Sequence, residues 1–127
     1  MRLRIVVVDD SASFLDKFVS VLGAEFDVVA TAMDGKSALE SIRSCRPDVV
    51  VLDLEMPLLN GIEVTRELAK QHPSPAIVIC SVESDPEVVE AAQQAGALGY
   101  VFKSRVATDL VEAVKSAARG QSFISPA

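Results

Sequence analysis

The sequence predicts an α/β fold with a doubly wound, five-stranded parallel sheet, and three observations carry that reading. Short β-branched runs alternate with segments whose apolar residues recur at helical spacing, five times without a break. The strand-like runs are apolar at nearly every position, as strands covered on both faces are. Strict β-α alternation implies parallel strands joined by right-handed crossovers.

The strands are read at Leu3–Val8, Phe26–Thr31, Asp48–Leu52, Ala76–Cys80 and Gly99–Phe102. After the first, Phe14, Leu15, Phe18, Val19 and Leu22 share one helical face; after the second, Ala38, Leu39 and Ile42 do so. Ile62, Thr65, Leu68 and Ala69 mark the third helix less strongly. Val88, Val89 and Ala92 mark the fourth, and Leu110, Val111 and Val114 the fifth. The punctuation agrees: Asp34 can cap the second helix, and Asp85-Pro86 supplies a cap followed by proline at the first helical position. Gly23, Gly96 and Gly120 stand where helices should stop.

With 127 residues, half of them hydrophobic, the chain has room for one core and one domain. Its net charge of −6 supplies no basic footprint for nucleic acid phosphates, so no nucleic acid binding is expected of this chain alone. The apolar start is ended by Asp9-Asp10, too short for a signal-peptide core or membrane span; no membrane association and a cytoplasmic location are expected. Cys45 and Cys80 lack CxxC spacing and read as reduced thiols in or near the core, and the lone His72 reads as a surface residue near a helix end.

Ligands of such sheets bind outside the carboxyl ends of the strands. Strand one ends in Asp9-Asp10, strand three in Asp53, strand four in Ser81 and strand five in Lys103, all on one edge. Singly, each has a structural explanation as a cap, a turn residue or a solvated charge. Together they do not, because three carboxylates crowded at one edge repel one another unless a cation is present. Oxygen donors without thiolate or imidazole suit Mg²⁺. A carboxylate can act as nucleophile toward phosphorus while Mg²⁺ and an ammonium offset charge on the transferring oxygens; Asp53 suits the first role and Lys103 the last.

These residues resemble receiver domains of response regulators over essentially the whole chain. The likeness is carried by Val6-Val7-Val8-Asp9-Asp10-Ser11, by Pro47 through Gly61 around Val51-Leu52-Asp53-Leu54-Glu55-Met56-Pro57, by Ser81, and by Gly99-Tyr100-Val101-Phe102-Lys103. The resemblance implies a flavodoxin-like (βα)5 fold with strand order 2-1-3-4-5. It implies Asp53 as phosphoacceptor, Mg²⁺ held by Asp10, Asp53 and the Glu55 backbone carbonyl, and Asp9 holding a metal-bound water. Ser81 stands where a hydroxyl meets the phosphoryl group, Lys103 where a lysine pairs with it, and Tyr100 where an aromatic ring changes rotamer on activation. The implied partners are a sensor histidine kinase and a phosphorylation-linked homodimer. Rather than an enzyme, the chain is expected to be a phosphoacceptor switch that assists its own phosphorylation and dephosphorylation, signalling through helix four, strand five and helix five.

One departure concerns Ser104, which follows Lys103 where many receivers have a cis-proline; a non-proline bond prefers trans, which puts the local loop geometry in question. Ser104, Gly99-Tyr100 and the ending from Gly120 to Pro126 resemble receivers of the NarL/FixJ type, which precede a helix-turn-helix output domain. Residues 1–120 are therefore read as the receiver, and 121–127 as a tail beginning a linker to an output domain absent from this chain, regulating transcription. The alternatives are a phosphorylation-independent interaction module and the receiver of a chemotaxis methylesterase. A haloacid-dehalogenase-type phosphatase would need Asp-x-Asp where this chain has adjacent aspartates, and no P-loop surrounds Lys36.

Overall fold

The computed structural model describes residues 2–126. Its elements run β1 (Arg4–Val8), α1 (Ala12–Gly23), β2 (Asp27–Ala32), α2 (Gly35–Cys45), β3 (Val49–Asp53), α3 (Gly61–Ala69), β4 (Ala76–Ser81), α4 (Pro86–Ala95), β5 (Gly99–Phe102), α5 (Val106–Ala118) and β6 (Phe123–Ile124). The sheet is parallel with order β2-β1-β3-β4-β5-β6. Successive side chains of a strand point to opposite faces, and the core divides accordingly. Val6, Val8, Val50, Leu52, Ile77, Ile79 and Tyr100 pack with Ala38 and Ile42 of α2, Val64 and Leu68 of α3, and Val89 and Ala92 of α4. Ile5, Val7, Val49, Val51, Val78, Cys80 and Val101 pack with Phe18 and Leu22 of α1 and Leu110, Ala113 and Val114 of α5. Each fully buried Val or Leu contributes roughly 1.5–3 kcal/mol, so the sheet is held rigidly between two helical layers.

Four helices begin on side-chain caps that fix where the preceding strand's loop turns. Ser11 caps α1, Asp34 caps α2, Asn60 caps α3 in a reciprocal box with Glu63, and Asp85 caps α4. The stops follow the expected glycines less uniformly. Gly96 ends α4 at φ 122°, whereas Arg46 occupies the left-handed cap of α2. Lys103–Ser104 is trans, and Lys103–Arg105 form one 3-10 turn leading into α5, which settles the loop that Ser104 put in question. The cis bond among the described residues is His72–Pro73, in the turn after α3.

The predicted count of five strands is corrected to six, because the tail docks on β5. Phe123 N–H donates to Leu98 O (3.0 Å) and Ser125 N–H to Tyr100 O (2.9 Å). Ser125 is buried: its hydroxyl donates to Asp109 Oδ2 (2.7 Å) and accepts from Phe102 N–H (3.1 Å). Three hydrogen bonds from one serine thus fasten residues that pattern alone reads as linker.

Candidate functional site

The five predicted chemistry-bearing positions meet at the carboxyl ends of the central strands. Asp53 is the last residue of β3 and Ser81 the last of β4; Asp9-Asp10 follow β1 and Lys103 follows β5. The cause is the parallel register, in which β1, β3 and β4 stop together: Val8 pairs with Leu52, Leu52 with Ile79, and Asp53 with Cys80. Asp10, Asp53, Glu55, Met56, Ser81, Val82 and Lys103 line an open cleft of about 400 Å³.

The loop between Asp53 and α3 is folded tightly back on Asp53. Gly61 N–H donates to Leu54 O (2.7 Å), and a Cβ at Gly61 would lie 2.4 Å from Asp53 O. Only glycine admits that approach, and it pins the backbone that carries Asp53. At the loop's outer turn, Leu58 takes φ 75° and is exposed.

Electrostatically the edge is under-compensated. Asp9, Asp53 and Lys103 are buried while Asp10 is exposed. Lys103 Nζ lies 2.8 Å from Asp9 Oδ2 and 3.2 Å from Asp53 Oδ1, so one ammonium serves two buried carboxylates. Burial and then the field of Asp9 push the Asp53 carboxyl up to about 6, against the opposing pull of Lys103. Burial works against the Lys103 ammonium, but the hydrogen bond with Asp9 and the charges of Asp53 and Asp9 outweigh it and hold its pKa above the ordinary value. Asp9 Oδ1 accepts from Ser11 N–H (2.8 Å), and its buried Oδ2 is held by the Lys103 ammonium.

One oxygen from each of Asp9, Asp10 and Asp53 lies within 4.8 Å of the others. An all-oxygen carboxylate set that shares a single ammonium fits a hard divalent cation such as Mg²⁺. Cys80, next to Asp53 across the sheet, is a free buried thiol whose pKa burial pushes up, so it stays neutral beside this site. Cys45 is also a free thiol, and His72 is exposed in the turn after α3, outside the cleft.

Beside the cleft, the peptide groups of Glu83 join Ser81 to Tyr100. Glu83 N–H donates to Ser81 Oγ (3.0 Å), and Tyr100 Oη donates to Glu83 O (2.7 Å). The Tyr100 ring is buried, turned inward from β5 and edge-on to Phe102. Two features escaped the sequence reading. Glu83 acts through its backbone, which residue type does not announce. Phe14 packs against the core as its place in the α1 stripe predicts, and its half-buried ring also lies with its centroid 4.2 Å from Lys103 Nζ, a second contact the stripe does not announce.

Comparison with known proteins agrees with this geometry. The family model of the response regulator receiver domain matches residues 5–115. The transcriptional regulatory protein DegU of Brevibacillus brevis is 36% identical over 127 residues, covering 98% of this chain and 54% of its own length. A protein-glutamate methylesterase/protein-glutamine glutaminase of Geobacillus kaustophilus is 41% identical over 105 residues, covering 80% of this chain and 30% of its own length. The chain spans about half the length of the transcriptional regulators it matches. Among solved structures, the signal receiver domain of NarL from Mycobacterium tuberculosis superposes with a TM-score of 0.89 at 34% identity, covering 94% of this chain and 98% of that one. No described helix is long and apolar enough to cross a membrane. Sequence, fold and acidic edge therefore converge on one assignment: this chain belongs to the response regulator receiver domains of two-component systems, with relatives of the NarL and DegU type.

Proposed function

We propose that Asp53 accepts a phosphoryl group from the phosphohistidine of a sensor histidine kinase and that the chain switches conformation in response. The observation that carries this reading is a buried carboxylate pushed up to about 6, facing an open cleft and sharing one ammonium with a second buried carboxylate. In the transfer, an Asp53 oxygen forms a bond to phosphorus as the P–N bond to the histidine breaks, and the bond's electron pair stays on the ring, which leaves as neutral imidazole with the proton already on its other nitrogen. Lys103 offsets charge on the phosphoryl oxygens, and the Ser81 hydroxyl, whose oxygen accepts from Glu83 N–H, donates to one of them.

Mg²⁺ would be held by Asp10, Asp53 and the Glu55 backbone carbonyl, with Asp9 reaching it through water; it supplies Lewis-acid charge neutralisation at the phosphoryl oxygens. Drawing Ser81 toward the phosphate loads the Glu83 peptides that Tyr100 also uses, which links the acceptor to the surface of α4, β5 and α5. That surface is the proposed site of phosphorylation-linked homodimerisation. The output is proposed to be transcription regulation in the cytoplasm, through a domain to which residues 121–127 lead. DegU matches over 98% of the chain, whereas the methylesterase matches over 80%.

The test is intact-mass and peptide mass spectrometry after incubation with acetyl phosphate and Mg²⁺. One labile phosphoryl group on Asp53, absent in Asp53→Asn and absent without metal, is expected. Labelling elsewhere, or none, overturns the reading.

A further inference from the structure

The Lys103 ammonium has two anionic neighbours and a third of a different kind. Its Nζ lies over the face of Phe14, 4.2 Å from the ring centroid, within the range at which a ring quadrupole attracts a cation. The ring is not placed there by chance packing alone. Asp9 holds Lys103 with Oδ2, and with Oδ1 it accepts from Ser11 N–H. Ser11 in turn accepts from Phe14 N–H (3.4 Å) as the cap of α1, and the ring leans on Phe18 with centroids 5.8 Å apart. One carboxylate thereby sets both the cation and the turn that carries the ring. Contacts with Asp9, Asp53 and the ring hold the ammonium at the cleft wall, facing Asp53.

We infer that Phe14 is a positioning residue for phosphoryl transfer, acting through Lys103 by holding its ammonium against the acceptor Asp53. The inference rests on the proposed phosphorylation of Asp53. A lysine stem has four rotatable bonds, and restricting them before the phosphoryl group arrives removes an ordering cost from the reaction. The chemistry requires the electron-rich face of the ring, not merely its bulk. Leucine at position 14 keeps most of the packing and loses that face.

The experiment measures the rate of Asp53 phosphorylation by acetyl phosphate at saturating Mg²⁺ in the parent, in Phe14→Leu, in Phe14→Tyr, and in chains carrying one, two or three ring fluorines at position 14. Fluorination keeps the ring's shape and drains its quadrupole. A loss of about fivefold is expected in Phe14→Leu, near-parental rates in Phe14→Tyr, and a stepwise decline with each fluorine. As a readout independent of chemistry, the Lys103 ε-methylene protons should resonate upfield in the parent through the ring current and return to ordinary shifts in Phe14→Leu. A labelled parent with a flat fluorine series overturns this inference and leaves phosphorylation standing. An ordinary lysine shift in the parent also overturns it, and a parent that takes no phosphoryl group overturns both readings.

Discussion

Asp53 at the end of β3 and Asp109 in α5 are both buried carboxylates, yet their surroundings are opposite in kind. Asp109 accepts from Arg105 through Nε (2.8 Å) and from the hydroxyls of Thr108 (3.1 Å) and Ser125 (2.7 Å). Those donors, Arg105 first, hold its carboxyl below the usual carboxylate range despite burial. Asp53 shares a single ammonium with Asp9, and burial leaves it above that range. A carboxylate whose lone pairs are filled from within the fold serves the fold. One left short of positive charge suits the proposed meeting with charge from outside the fold.

The contrast breaks most sharply under mutation. Asp109→Ala removes the acceptor for three donors and is expected to cost roughly 3 kcal/mol of stability, read as a lower urea midpoint. Without metal, Asp53→Asn should do the reverse and raise stability by about 2 kcal/mol at pH 7.5, because it removes a charge the fold resists. A destabilised Asp53→Asn would place both aspartates in the same class.

The two sites also part with pH. The Asp53 carboxyl is raised, so its contribution to stability is fully present below its unfolded value near 3.8 and is lost as pH climbs through about 6. The Asp109 carboxyl is lowered, so its contribution is present above its unfolded value and is lost as pH falls through its depressed one. Metal-free urea midpoints should therefore drop between pH 4.5 and 7 in the parent, and drop less in Asp53→Asn; parallel profiles would remove the distinction.

The smallest effect belongs to the tail. Ser125→Ala deletes one donor to Asp109 and one acceptor for Phe102 N–H and is expected to cost about 1 kcal/mol. Amide exchange at Ser125 and Phe102 should speed with it. Unchanged exchange would mean that backbone pairing alone holds β6.

Much of this is legible in the sequence. Strand positions fall within one residue of the reading at each end, because β-branched runs bounded by Asp, Ser and Gly have few other uses in a chain of this size. Asp9, Asp10, Asp53, Ser81 and Lys103 meet as expected, since parallel strands deliver their carboxyl ends to one edge. What stayed hidden depends on contacts without a period. The Arg105–Asp109 spacing suits a helical pair, but the link from Asp109 to Ser125 crosses 16 residues of chain and is invisible to pattern. A two-residue strand carries too little alternation to announce itself. Phe14 satisfied the apolar stripe of α1 so well that its second use, facing a cation, left no separate mark.

The three carboxylates of the acidic edge, sharing one ammonium, should be stabilised by a divalent cation, and thermal unfolding at pH 7.5 with and without Mg²⁺ tests this most directly. The parent should gain several degrees on adding millimolar Mg²⁺. Asp53→Asn should start higher and gain little. Equal gains in the two proteins, or none in the parent, would contradict the account.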